Sequence, residues 1–300
     1  MIEKTSSDFF PGFEQVKIET SEAEINLVRG GEGPPLLLLH GYPQSHVMWH
    51  KVAPGLAEKF TVVATDLRGY GDSSKPPSTD DHEPYSKRKM ALDQVEVMEL
   101  LGYTRFSVAA HDRGARVAHR MALDHQDRIQ RLALLDILPT LMLYRETDMD
   151  FARNYWHWFF LIQPAPLPEI LLGNSAEFFA AALTTKGAPG TFTEEARIAY
   201  ARTFTDPEIL HASCEDYRAS AGIDLAHDEA DLDKKIQCPL LVLWGAHNPA
   251  YQRHDMLSEW RKRAIDVSGE AVASDHFIPE EAPEAVLASF DQFFSGGHVG

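Results

Sequence analysis

Short apolar runs, each followed by a segment long enough for a helix, are the feature that most limits how this chain can fold. The candidate strands are residues 36–39, 61–64, 106–110, 132–135 and 240–244. A strand that is apolar on both faces must be covered on both faces, so the alternation predicts a parallel sheet with helices on either side. Residues 15–19 and 24–29 could pair as a hairpin beside that sheet.

The alternation is interrupted between residues 141 and 230, where aromatic and helix-forming residues replace the strand pattern. It resumes at residue 236 and ends in a final helix. This organisation predicts a core domain formed by residues 1–140 and 231–300, with a helical cap domain inserted at residues 141–230. Ligands of parallel sheets bind beyond the carboxyl ends of the strands, so we expect the chemistry to lie there, under the cap.

The net charge of the chain restricts its partners. Its 300 residues include 28 Lys and Arg against 45 Asp and Glu, a net charge of −17. Such a surface repels nucleic acid and anionic membranes, so a small molecule is the expected partner. Cys214 and Cys238 are too few for a disulfide framework or a thiolate zinc site. Because the N-terminus also lacks a signal-peptide pattern, we expect a cytoplasmic protein.

The segment around Asp112 carries the strongest chemical signal. A strand is expected to end at Ala110 and a helix to begin near Gly114, which leaves Asp112 on the turn between them. In the G-x-S-x-G elbow this position holds the nucleophile. A carboxylate placed there attacks a saturated carbon by displacement and becomes an alkyl ester. The alternative is that Asp112 caps the helix, as Asp commonly does.

Hydrolysis of such an ester needs a base, and His276 stands where the chain order of these elbows places it. Residues 246–248, which follow the strand at 240–244, contain no carboxylate to orient that imidazole. Asp136, directly after the strand at 132–135, is the substitute, and it would fix the tautomer of His276. The alternatives are that His276 lies in a surface loop and that Asp136 caps a helix.

Positive charge for an anionic substrate is available from Arg113 and Arg116, three residues apart at the start of the predicted helix. Each guanidinium can bind a carboxylate through two hydrogen bonds, and both could point to the mouth of the site. The alternative is that they are ordinary solvated or ion-paired arginines. The backbone N–H groups of Tyr42 and Arg113 are candidates for an oxyanion hole.

Three side chains of the inserted segment could surround a departing halide. His157, Trp158 and Tyr217 offer an imidazole N–H, an indole N–H and a phenol O–H, which are all neutral hydrogen-bond donors. The alternative is that these aromatic rings simply pack in the core, as most aromatic runs on helices do.

Together these motifs resemble the α/β-hydrolase superfamily and, within it, the fluoroacetate (haloacetate) dehalogenases. The segments that carry the resemblance are HGYPQ at 40–44, DLRGYG at 66–71, HDRGAR at 111–116, WHW at 156–158, CEDYRA at 214–219 and HF at 276–277. The resemblance implies an α/β-hydrolase fold with a mostly parallel eight-stranded sheet and an inserted helical cap. It also implies hydrolysis of haloacetates and related 2-haloacids without a metal or an organic cofactor, and a homodimer.

The resemblance also implies a role for each candidate residue. Asp112 would be the nucleophile, His276 the general base and Asp136 its acid. Arg113 and Arg116 would bind the substrate carboxylate. The halide-binding residues would be His157, Trp158 and Tyr217.

Two other functions fit parts of the sequence. An epoxide hydrolase would use the same Asp112 and His276, with Tyr217 and either Tyr144 or Tyr155 protonating the epoxide oxygen. A binding protein of the same fold without activity would need a broken triad, whereas every member of the triad is present in this sequence.

Overall fold

A computed structural model describes residues 9–184, 190–248 and 253–296. An eight-stranded sheet forms its centre, in the order β1-β2-β4-β3-β5-β6-β7-β8. The strands are β1 (Glu14–Glu19), β2 (Glu24–Gly30), β3 (Pro35–Leu39), β4 (Thr61–Thr65), β5 (Phe106–His111), β6 (Ile129–Leu135), β7 (Leu240–Gly245) and β8 (Val267–Val272). The pairs β1–β2 and β2–β4 are antiparallel, and the others are parallel.

The predicted hairpin and the five predicted apolar strands are confirmed, with bounds that differ by no more than three residues. β8 has no counterpart among the candidate strands. Its sequence, Val-Ser-Gly-Glu-Ala-Val, interrupts the apolar pattern because it forms an edge of the sheet, where one side of the strand is unpaired.

Helices cover both faces of the sheet and fill the segment between β6 and β7. They are α1 (Ala53–Leu56), α2 (Lys87–Leu100), α3 (Asp112–Asp124), α4 (Thr140–Arg145), α5 (Met149–Asn154), α6 (Trp156–Leu161), α7 (Leu167–Gly173), α8 (Ala176–Thr184), α9 (Glu194–Thr205), α10 (Pro207–Ala221), α11 (Ile223–Ala230), α12 (Met256–Arg261), α13 (Ile278–Glu281) and α14 (Pro283–Phe294). We call residues 140–230, from α4 to α11, the helical segment. None of the described helices has the length and apolar character that crossing a membrane requires.

The central strands are buried on both faces, which explains their continuous apolar sequences. All four leucines of β3 are completely buried. Leu37 and Leu39 pack into a core on one face of the sheet, and Leu36 and Leu38 pack into a core on the other. At about 2 kcal/mol for each buried leucine, this strand alone contributes several kilocalories per mole to the free energy of burial. The carboxyl ends of these rigid strands carry the candidate site.

Candidate active site

The turn that presents Asp112 is a tight, strained connection between β5 and α3. The helix begins at Asp112 itself, two residues earlier than expected, and Asp112 has a φ of +46°. That left-handed conformation is unfavourable for a residue with a side chain, so the surrounding structure must hold it in place. Crowding does so: a Cβ atom on Gly41 would lie 2.5 Å from Cβ of Asp112, and one on Gly114 would lie 2.3 Å from the carbonyl oxygen of His40.

The side chain of Asp112 does not cap the helix. The N-cap residue of α3 is His111, and Oδ1 of Asp112 accepts a hydrogen bond from the backbone N–H of Tyr42 at 2.9 Å. The helix-cap alternative for Asp112 is therefore wrong. Arg113 is the second residue of α3, where a helix does not use the backbone N–H in its own hydrogen-bond ladder.

Asp136 and His276 form a close hydrogen-bonded pair. Nδ1 of His276 lies 2.5 Å from Oδ2 of Asp136. Asp136 is completely buried directly after β6 and has a φ of +54°. Burial raises the pKa of this carboxyl group even though its hydrogen bonds oppose the shift. The helix-cap alternative for Asp136 is also wrong, because its oxygens contact His276, the N–H of Gly245 and the amide of Asn248.

Asn248 is a site residue that the sequence analysis did not identify. Its Nδ2 donates to Oδ2 of Asp136 at 2.8 Å, and the N–H of Gly245 donates to Oδ1 of Asp136 at 2.8 Å. Asn248 belongs to residues 246–248 after β7, which contain no carboxylate. The sequence feature that could have identified Asn248 is its amide, because an amide N–H can donate to a carboxylate and hold it in position.

His276 also faces Asp112. Its Nε2 lies 4.0 Å from Oδ2 of Asp112, which is longer than a hydrogen bond. Burial by itself would raise the pKa of Asp112, but the imidazoles of His276 and His111 and the two nearby guanidinium groups lower it to about 2. Asp112 is therefore an ionised carboxylate at neutral pH. The surface-loop alternative for His276 is wrong, because its ring lines a cavity together with Asp112.

That cavity has a volume of about 700 Å³ and lies between the strand ends and the helical segment. Its walls are mainly aromatic and aliphatic. The residues that line it are Tyr42, Pro43, Asp112, Asn154, Tyr155, Trp156, His157, Phe160, Leu161, Leu172, Phe178, Phe179, Ala182, Phe204, Tyr217, Asn248, Asp275, His276 and Phe277. Two of the three candidate halide ligands, His157 and Tyr217, are among them, whereas Trp158 is buried behind this wall.

The expectation that Arg113 and Arg116 point to the mouth of the site is wrong. Arg113 is completely buried, and its Nε and Nη2 donate to the carboxylate of Asp216 at 2.8 and 2.7 Å. Nη1 of Arg116 donates to the carbonyl oxygen of Leu138 and to Oγ1 of Thr140 at 3.1 and 2.8 Å. The two arginines thus lie behind the cavity wall, where a buried acid and fixed oxygen acceptors hold them in place.

Each arginine nevertheless keeps one donor without a partner among the described residues. These donors are Nη1 of Arg113 and Nε of Arg116, and both are buried. The guanidinium of Arg113 lies 4.1 Å from the centre of the Tyr217 ring, and that of Arg116 lies 4.6 Å from the Trp158 ring. The candidate carboxylate ligands and two of the candidate halide ligands are therefore in direct contact. A buried donor without a partner is costly, so these two nitrogens are suited to receive an anion.

A possible metal-binding group lies elsewhere. Glu169, His211 and Glu215 place one ligand atom each within 4.8 Å of one another. However, Nη1 of Arg218 donates to Glu169 at 2.8 Å and to Glu215 at 2.6 Å, and Nδ1 of His82 lies 2.6 Å from Glu215. A guanidinium already balances these carboxylates, so this group does not favour a cation.

Comparison with known proteins agrees with this fold. A family model of the alpha/beta hydrolase fold matches residues 34–283, and the chain belongs to this family. It is 44% identical to a fluoroacetate dehalogenase of Burkholderia sp., with 97% of each chain covered. It is 34% identical to a soluble epoxide hydrolase of Corynebacterium sp. (strain C12), over 90% of this chain and 93% of that protein. A crystal structure of an alpha/beta hydrolase from Nostoc sp. PCC 7120 superimposes with a TM-score of 0.93 at 57% identity, over 96% of this chain and 99% of the other.

Proposed function

We propose that this protein is a hydrolytic dehalogenase that converts haloacetates to glycolate and halide. The observation that carries the proposal is a buried guanidinium nitrogen on each of Arg113 and Arg116 that has no partner among the described residues, in the helix that begins with the ionised Asp112. An ionised nucleophile beside two cationic donors fits a substrate that carries both a leaving group and a carboxylate. The 44% identity to a protein named fluoroacetate dehalogenase supports the same choice.

The first step of the proposed reaction is a displacement. One oxygen of Asp112 attacks the carbon that carries the halogen, the carbon–halogen bond breaks, and the halide leaves with the bonding electron pair. The product is a glycolyl ester of Asp112. His157 and Tyr217 line the cavity as donors for the leaving halide, and Trp158 is the third proposed donor. Fluoride is the poorest leaving group among the halides, so it depends most on these hydrogen bonds.

The second step is hydrolysis of that ester. His276 takes a proton from a water molecule while the water oxygen attacks the carboxyl carbon of Asp112. The bond to the glycolate oxygen then breaks, and the imidazolium returns the proton to that oxygen. Asp136 holds His276 in the tautomer that presents Nε2 as the base. The N–H of Tyr42, which bonds Oδ1 of Asp112 at 2.9 Å, would stabilise the negative charge that develops on this oxygen, together with the N–H of Arg113.

Ion-selective measurement of halide release tests the proposal. The panel is fluoroacetate, chloroacetate, 2-chloropropionate and, as the rival substrate, styrene oxide. We expect halide and glycolate from the haloacetates and no diol from styrene oxide, with Asp112→Asn as the inactive control. Diol formation without halide release would refute the proposal and identify an epoxide hydrolase.

The epoxide-hydrolase alternative has one observation in its favour beyond the 34% identical relative. Tyr155 and Tyr217 line the cavity together with Asp112, so two phenol hydroxyls are available near the nucleophile, whereas Tyr144 does not line it. The paired arginines favour the dehalogenase, because a neutral epoxide gains little from two guanidinium groups. A binding protein without activity is the least supported function, since the hydrogen-bonded pair of Asp136 and His276 has no purpose there.

We also propose the remaining features of this enzyme. Residues 141–230 form the cap of a core domain made of residues 1–140 and 231–300. A homodimer is supported by exposed apolar side chains on the helical segment, among them Met149, Ile170 and Leu171. A cytoplasmic location is supported by two unpaired cysteines, and a net charge of −17 supports a protein that binds neither nucleic acid nor membranes.

A further inference from the structure

Glu281 is not one of the groups that line the cavity, yet its carboxylate holds the backbone on both sides of His276. Oε2 of Glu281 accepts a hydrogen bond from the N–H of Asp275 at 2.8 Å. Oε1 of Glu281 accepts a hydrogen bond from the N–H of Phe277 at 2.9 Å. The two oxygens of one carboxylate therefore bind the residue before and the residue after the candidate base.

Residues at the ends of two strands also approach the same loop closely. Nε2 of His111 lies 2.8 Å from the carbonyl oxygen of His276. Gly245, at the end of β7, is so close to the loop that a Cβ atom there would lie 2.0 Å from the carbonyl oxygen of Asp275. The loop is therefore in close contact with the ends of β5 and β7 and with Glu281, the last residue of α13.

We propose that Glu281 is a positioning residue for His276, an inference that rests on the proposed function. Only a carboxylate offers two acceptor oxygens to two N–H groups. An amide at this position has a single oxygen, and its NH₂ group would face the other N–H. The 2.5 Å contact of His276 with Asp136 and its 4.0 Å separation from Asp112 leave little tolerance for movement. A displacement of about 1 Å can reduce a reaction rate about 100-fold.

The proposal predicts different effects of Glu281 on the two chemical steps. Displacement of the halide uses the carboxylate of Asp112 and does not use His276. Hydrolysis of the ester requires His276 in the correct place. Loss of Glu281 should therefore slow the second step and leave the first nearly unchanged, so that the ester accumulates and kcat and KM fall together.

The test compares Glu281→Ala and Glu281→Gln with Glu284→Gln, which removes the same charge from an exposed position three residues later. Single-turnover reactions with chloroacetate follow chloride release, and mass spectrometry of the quenched protein follows the ester on Asp112. We expect hydrolysis in Glu281→Ala to slow about 100-fold, with a smaller loss in Glu281→Gln and none in Glu284→Gln. Equal losses in both steps, or no accumulated ester, would overturn the proposal.

A second readout needs no substrate and separates this proposal from the proposed function. The proton between Nδ1 of His276 and Asp136 should give a low-field NMR resonance in the wild-type protein and in Glu284→Gln. We expect this resonance to be lost or broadened in both Glu281 variants while circular dichroism shows intact folds. An unchanged resonance overturns the positioning role even if the wild-type protein releases no halide. Unfolding of both Glu281 variants overturns it as well, because it shows a general structural role instead.

Discussion

Replacing Asn248 by Asp places a second carboxylate beside the acid that orients His276. In the wild-type structure Nδ2 of Asn248 lies 2.8 Å from Oδ2 of Asp136, and Asp136 is completely buried. At that separation and an effective dielectric constant of about 20, two negative charges repel by about 6 kcal/mol. The repulsion corresponds to about four pH units in the second ionisation of the pair. The second pKa of the pair therefore lies well above the ordinary Asp range, and burial raises it further.

The raised second pKa of the pair determines how the activity of Asn248→Asp depends on pH. Below this second pKa the Asn248→Asp pair holds one proton, and the protonated carboxyl donates to its partner as the amide did. Activity at pH 7 should therefore stay close to that of the wild type. Above the second pKa both groups are ionised, the donor is lost, and the repulsion moves Asp136 away from His276. We expect the ratio of variant to wild-type activity to fall at least tenfold between pH 7 and pH 10.

The assay is chloride release from chloroacetate across this pH range, with Asn154→Asp as the control. Asn154 also lines the cavity but is solvent-exposed, so the control adds the same charge to the same cavity. A constant activity ratio up to pH 10 in Asn248→Asp would refute the reasoning. So would an equal fall in the control, because the effect would then come from the net charge of the cavity.

Three further outcomes are expected. His276→Asn should accumulate the ester on Asp112, which mass spectrometry of a quenched reaction detects; turnover at the wild-type rate would show that another group is the base. Arg116→Ala should raise the KM for chloroacetate at least tenfold more than that for chloroacetamide, its neutral counterpart, in steady-state halide release; equal changes would contradict a carboxylate-binding role. Burial raises the pKa of Glu280 to about 7. The folded protein therefore holds the proton of Glu280 more tightly than the unfolded chain, and the resulting stabilisation is complete below about pH 4 and is lost as the pH rises through 7. Urea unfolding should therefore show that Glu280→Gln gains about 3 kcal/mol relative to the wild type between pH 5 and pH 8, and parallel pH dependences would contradict this.

The sheet and the order of the candidate catalytic residues could be predicted from the sequence because both depend on local patterns. Buried parallel strands need apolar runs, and the turn after each run exposes one polar residue at the end of the sheet. Asp136 follows such a run directly and Asp112 follows one after His111, and the structure brings both close to His276. β8 could not be identified in this way, because an edge strand tolerates polar residues and glycine.

The positions of the arginines could not be predicted because they depend on partners far away in the sequence. Arg113 is held by Asp216, more than 100 residues later, and no local pattern links the two. The same is true of Asn248, which meets Asp136 only when β6 and β7 pair. Glu281 lies close to His276 in sequence, but a glutamate in a short helix has many possible contacts, and only the folded loop shows which N–H groups it binds.

The origin of the orienting acid has a consequence for protein engineering. Asp136 directly follows β6, and the described part of the connection after β7 contributes the amide of Asn248 to the hydrogen bonds of this acid. Designers could therefore graft connections of other lengths beyond Asn248 without rebuilding the proton-transfer machinery. Such grafts should preserve the contact between Asp136 and His276, because neither residue belongs to the grafted connection.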